Sequence, residues 1–229
     1  MLISEIIKQV RFCIDEEYNN EGLIVDPNQQ TSDYMETENT KMDRLIRSKI
    51  GDSLKWCALY APAELLEGST STNVSTDYVV TTISGNDVVA GNPVRVKLPN
   101  SFIRLVRVRL PEWQKAVRNP IEEDSEEYLM LSDDTAEATT DRPVAALVRK
   151  VPMELELYPG GNNISSVEIS FVNDASGVDY SLATDVNVPT KIRSSFLYYL
   201  AYLVMCAYDN PSKAQSMLGI AKLNLGINT

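Results

Sequence analysis

Hydrophobic spacing changes twice along this chain, and those two changes restrict its architecture more than any single motif. In the first 60 residues apolar side chains recur every three or four positions: Ile3, Ile6, Ile7, Val10 and Ile14, then Met42, Leu45, Ile46, Ile50, Leu54, Cys57 and Ala58. This predicts an amphipathic helix over 2–20 and a second over about 40–60, separated by the polar run Asp26-Pro-Asn-Gln-Gln-Thr-Ser-Asp. Ala61-Pro-Ala interrupts the second helix, and one further turn through Leu65-Leu66 ends at Gly68. After a Ser/Thr-rich linker at 69–76 the pattern becomes alternating and β-branched, predicting strands at 78–83, 94–98, 102–110, 144–149, 153–158 and 166–172. Pro93, Pro99 and Pro111 punctuate them, and Pro159-Gly-Gly-Asn-Asn reads as a hairpin loop joining the last two. Helical spacing returns after Pro189, over 190–208 and 213–225, with a break at Asp209-Asn-Pro-Ser. Helices, then strands, then helices exclude a doubly wound sheet and predict an α+β fold. Its N- and C-terminal helices (1–68 and 189–229) form a helical bundle, and a mainly antiparallel β-rich insertion (69–188) contains an acidic loop at 121–141.

The most apolar segment is Phe196–Tyr208, thirteen residues closed by Asp209-Asn-Pro. Crossing a bilayer takes roughly 20 such residues, so this run suits a helix buried on most sides, in a core or between subunits. The N-terminus, Met-Leu-Ile-Ser-Glu-Ile-Ile-Lys-Gln-Val, lacks the basic start, apolar stretch and cleavage site of a secretory signal. Cys13, Cys57 and Cys206 are far apart and sit in apolar helical patterns, the pattern of buried thiols in a protein made in a reducing cytoplasm. Without a signal, the sequons at Asn73 and Asn163 carry no weight.

The chain contains no histidine. That excludes Ser-His-Asp and Cys-His nucleophile systems, zinc helices built on paired histidines, and an imidazole base. There is no Gly-x-Gly-x-x-Gly and no Gly-Lys-Ser/Thr, so no nucleotide cradle is predicted. No catalytic residue, cofactor or metal is assigned.

Charge is segregated. The net charge is −11, but nine of the 32 acids lie between Ile121 and Asp141, which holds no base. Residues 95–118 instead carry Arg95, Lys97, Arg104, Arg107, Arg109, Lys115 and Arg118 against Glu112 alone. The acidic run has three readings: a solvated loop, a metal site for which it lacks a full ligand set, or a patch that pairs with the basic strands of a neighbouring copy. Strict alternation along 103–110 puts Ile103, Leu105, Arg107 and Arg109 on one side, and Arg104, Val106, Val108 and Leu110 on the other. Neither side is then uniformly basic, and with only Phe102 and Trp113 nearby, sequence-specific nucleic-acid recognition is not predicted.

Leu98-Pro-Asn-Ser-Phe-Ile-Arg-Leu-Val-Arg-Val, with Trp113 just beyond, resembles the Leu-Pro-x-Asp-Phe-x-Arg-Leu segment of head-tail connector (adaptor) proteins of short-tailed phages, the tail tubular protein A type. The following layout is similar to that family: a strand at Ser166–Val172, the loop Asp185-Val-Asn-Val-Pro, an aromatic helix at Phe196–Tyr208 and a last helix at Lys213–Leu225. Ser101 stands where the family often has an acid, and the family pattern has no counterpart to 121–141.

The resemblance implies a non-enzymatic virion protein, a subunit of a twelvefold ring in the neck. That ring would dock under the portal protein, give a platform to the next tail ring or tail tube protein, and pass DNA without specific contact. Phe196, Tyr199, Tyr202 and Leu203 are the candidate buried anchors of such an assembly. Phe102, Arg104, Arg107, Arg109 and Trp113 are candidate interface residues of the strand region, the arginines for charge pairing. The rival expectations are another tail-ring or tail-completion protein, a carboxylate-based hydrolase built on the acidic cluster, and a monomeric binding module.

Overall fold

The computed structural model describes residues 1–14, 38–66, 80–83, 88–89, 93–131, 138–161, 164, 166–174 and 178–227. The linker at 69–76, Gly68, and Asp133, Asp134 and Glu137 of the acidic run lie outside the described residues, as does any helix beyond Ile14. The fold is α+β, with helices at both ends and strands between them. Two compact units divide it: Met1–Ala61 with Ala175–Thr229, and Pro62–Asp174. The sequence boundaries at 68/69 and 188/189 lie 7 and 14 residues beyond the corresponding points of this division.

The first unit is a helical cluster of α1 (Ile3–Cys13), α2 (Glu38–Tyr60), α5 (Arg193–Ala207) and α6 (Pro211–Asn224). Ile3, Ile6, Ile7, Val10 and Ile14 are all buried, so the three- and four-residue spacing forms one inward stripe. On α2 the same role falls to Met42, Ile46, Ile50, Leu54, Cys57 and Ala58. The α5 helix packs against α1, α2 and α6. The buried Ser53 hydroxyl donates to the Phe196 carbonyl at 2.8 Å, joining α2 to α5. Residues 178–188 belong to this unit for a clear reason. The Ile3 amide donates to Thr184 O at 2.9 Å and the Val186 amide to Met1 O at 2.8 Å. Arg47 also donates to the carbonyls of Tyr180, Ser181 and Ala183 at 3.1–3.3 Å. Between α5 and α6, Asp209 adopts a left-handed φ of 52°. Asn210 then caps α6 by accepting from the Lys213 amide, with Pro211 in the first turn.

The second unit is a β-sandwich with three short or edge additions. A four-residue helix, α3 (Ala63–Leu66), precedes β1 (Val80–Ile83), β2 (Val88–Val89), β3 (Val94–Lys97) and β4 (Phe102–Arg109). Then come β5 (Ile121–Glu122), α4 (Glu126–Met130), β6 (Val144–Val148), β7 (Glu154–Tyr158) and β8 (Glu168–Asn173). One sheet has the order β1-β8-β4 and the other β2-β3-β7-β6-β5; among the described residues only the β5–β6 pair is parallel. Both sheets face a shared core containing Val94, Val96, Leu155 and Leu157 from one side and Leu105, Val108, Ile169 and Phe171 from the other.

The expected hairpin between 153–158 and 166–172 does not form: β7 and β8 lie in different sheets. Both edges of β7 are taken, by β3 and β6, so the chain leaving Tyr158 must cross the core to the other sheet. Trp113 fixes that crossing from within the core, its indole N–H donating to Pro159 O at 3.1 Å. Among the described residues no helix is long and apolar enough to cross a membrane.

Candidate functional site

Three constellations stand out, one in the helical unit and two in the sandwich. On α2 and α5 an aromatic row forms because residues three, four and seven apart share a helix face. Trp56 stacks on Tyr199 with ring centroids 4.2 Å apart and planes within 7°. Tyr60 flanks Trp56 at 5.6 Å, and Tyr202 flanks Tyr199 at 5.2 Å. Burial, reinforced by the neighbouring Tyr202, Tyr60 and Asp52, pushes the Tyr199 phenol up to about 12.

Of the anticipated anchors, Phe196 is fully buried in the cluster, whereas Tyr199, Tyr202 and Leu203 are half-buried. Further along the helix Cys206 and Tyr208 are exposed, as are Phe12 on α1 and Leu223 on α6. Cys57 is buried, Cys13 half-buried and Cys206 exposed, so only one of the three thiols is buried as the sequence reading expected.

The second constellation is the outer face of the β1-β8-β4 sheet, the side turned away from the sandwich core. Two β-bulges lie in β4, between Phe102 and Arg104 and between Leu105 and Arg107. Each adds a residue without a cross-strand partner and so reverses the alternation that follows. Phe102, Leu105 and Val108 consequently share the inner side, opposite Asn173, Phe171 and Ile169. Arg104, Arg107 and Arg109 share the outer side, opposite Val172, Ser170 and Glu168.

Strict alternation put Arg104 on the side away from the other two arginines. The bulges overturn that: this face gathers all three. Arg107 pairs with Glu168, and Arg109 donates from Nε to Trp113 O at 3.2 Å. Lys115 and Arg118, both exposed, flank Val117, which pairs with Val108 along the free side of β4. Phe102 packs its ring 5.7 Å from Phe171, and Trp113 is buried, so these two candidates serve the core rather than the surface. An open groove of about 300 Å³ beside Arg109 is lined by Leu110, Pro111, Ser166 and Glu168.

The third constellation sits on the outer face of the other sheet and centres on Glu156. Leu155 and Leu157 point into the core, so Glu156 and Tyr158 point out, next to Arg95 on β3. Yet Glu156 is 2% exposed, because α4 lies over it. Its Oε1 accepts from Arg95 Nε at 3.0 Å, and its Oε2 accepts from the hydroxyls of Tyr128 at 2.8 Å and Tyr158 at 2.9 Å. Burial would raise the carboxyl pKa, but those two hydroxyls and the guanidinium outweigh it and hold it below the usual carboxylate range. Burial and the adjacent carboxylate in turn push both phenols up.

The acidic segment is therefore an ordered layer rather than a bare loop across 121–131. Its β5 strand runs parallel to β6, the Ser125 hydroxyl caps α4 by accepting from the Tyr128 amide, and Glu122 pairs with Arg149 at 3.0 Å. Neither Trp56 nor the Glu156 cluster was singled out in the sequence. The one readable signal was Tyr128-Leu-Met-Leu, an apolar stretch within an otherwise acidic run.

No group of three His, Cys, Asp or Glu side chains placed to hold a metal ion occurs among the described residues. No protein-family model matches the chain, and no curated protein matches it.

Proposed function

We propose that this chain is a structural subunit of a phage neck, a head-tail connector (adaptor) ring between portal and tail. Its partners are then copies of itself, the portal protein above and the next tail ring or tail tube protein below, with DNA passing through the ring. Twelvefold symmetry follows from the resemblance of the Leu98–Val108 segment and the downstream layout to that family.

One observation carries the reading. The α5 helix is apolar and aromatic on every side, but the helical unit buries only part of it and leaves Tyr199, Tyr202 and Leu203 half-covered. A helix of that composition belongs inside a larger assembly. The net charge of −11 suits a ring that DNA must slide through without sticking.

The test is composition and position. Particles of the phage encoding the chain are purified, their proteins identified, and the neck imaged by electron cryomicroscopy. A ring of this chain directly under the portal is expected. A ring lower in the tail would favour the tail-ring or tail-completion reading, and absence from the particles would overturn both.

A further inference from the structure

The arginine face of the sandwich and the 121–131 layer on its other side carry opposite charge. On the β1-β8-β4 side the bulges collect Arg104, Arg107 and Arg109, with Lys115 and Arg118 exposed beside them and Glu168 the acid of that face. On the β2-β3-β7-β6-β5 side the covering layer at 121–131 contains five acids and no base. Glu122 is paired with Arg149, while Asp124, Glu126 and Glu127 are exposed. The α4 helix buries none of its own residues, so its acids are displayed rather than packed.

We infer that these are the two halves of one contact: the arginine face of one copy receives the 121–131 layer of a second copy of this chain. The inference rests on the connector reading only in taking copies as neighbours. Charge complementarity selects the occupant. Two copies meeting through the same face would set arginines against arginines or carboxylates against carboxylates, which repel.

Meeting through opposite faces pairs the charges, and because those faces lie on opposite sides of the sandwich, the contact is heterologous. Such a contact repeats from copy to copy and yields a ring when the rotation closes. The guanidinium fork suits it, since each carries five N–H donors while the contacts to Glu168 and Trp113 O take one each from Arg107 and Arg109.

The experiment is sedimentation of the full chain over a concentration series, at about 50 mM and about 500 mM salt, where the screening length falls severalfold. Three variants accompany it: Arg107→Glu with Arg109→Glu, Asp124→Lys with Glu126→Lys and Glu127→Lys, and all five changes in one chain. Wild type should self-associate and weaken at least tenfold in the higher salt. Each partial swap should remain monomeric, while the five-fold swap, and an equimolar mixture of the two partial swaps, should associate again.

Should loss of the Glu168 pair unfold the arginine swap, as judged by its melting temperature, Arg107→Gln with Arg109→Gln replaces it, with a tenfold loss expected. Monomer at every concentration, association indifferent to either swap, or failure of both rescues overturns the inference. The connector reading stands or falls separately, on whether the chain is found in the neck of particles.

Discussion

Replacing Glu156 with Gln keeps the side-chain shape and removes the charge, which isolates what the carboxylate does for the three donors around it. A hydrogen bond to an ionised group contributes about 1.5–3 kcal/mol against about 0.5–1.5 for a neutral pair. Weakening the bonds from Arg95, Tyr128 and Tyr158 together therefore costs roughly 3–4 kcal/mol. Against this, the amide avoids the penalty of holding a charge out of water, on the order of 1–2 kcal/mol here because Arg95 itself is half exposed. The expected net loss at pH 7 is about 2 kcal/mol, roughly 30-fold in the unfolding equilibrium.

Urea denaturation measures that loss. Hydrogen exchange should also show reduced protection at 125–131, since Tyr128 ties α4 to the sheet through Glu156. The pH dependence has a definite sign. The folded-state pKa lies below the ordinary value, so the contribution is complete above the unfolded carboxylate pKa and is lost as pH falls through the folded one. Wild type and Glu156→Gln should converge in acid. A variant as stable as wild type at pH 7, or a gap that persists at low pH, would refute the claim that the three donors outweigh the burial.

The Arg11 guanidinium is buried and gives Nε and Nη2 to Asp43 Oδ1 at 3.0 and 2.7 Å. Asp43→Ala removes both of these bonds to a charged group and should cost about 2 kcal/mol; an unchanged thermal melt would contradict this. Ser53→Ala removes the bond to Phe196 O and should cost about 1 kcal/mol, visible as an earlier urea midpoint. In the folded chain a thiol reagent should label Cys206 quickly and Cys57 only on unfolding, since burial pushes the Cys57 thiol up. Rapid labelling of Cys57 in the native state would show that α2 opens far more easily than its packing implies.

The first two helices were legible because each has a single inward stripe whose spacing survives in the sequence: the isoleucines of α1 are buried as their spacing requires. Strand positions were legible for the same reason, but strand partners were not. The run Pro159-Gly-Gly has the composition of a tight turn, yet the chain there changes sheets, and only the occupancy of both β7 edges decides between those outcomes. Glu156 looked like an ordinary outward residue in Glu-Leu-Glu-Leu-Tyr; its burial depends on Tyr128, 28 positions earlier, lying over it. The aromatic row escaped notice because Trp56 and Tyr199 come from helices far apart in the chain, and neither periodicity records the other.

The bulges of β4 give a strand a step of three on its inner side, Phe102, Leu105 and Val108. Deleting Val106 would take out the second bulge alone: Leu105 and Arg107, then adjacent and still opposite Phe171 and Ser170, would keep the sides they have, and Arg104 would stay on the outer face. A lineage could shorten this strand by its unpaired residue and still show the same three arginines on the same face.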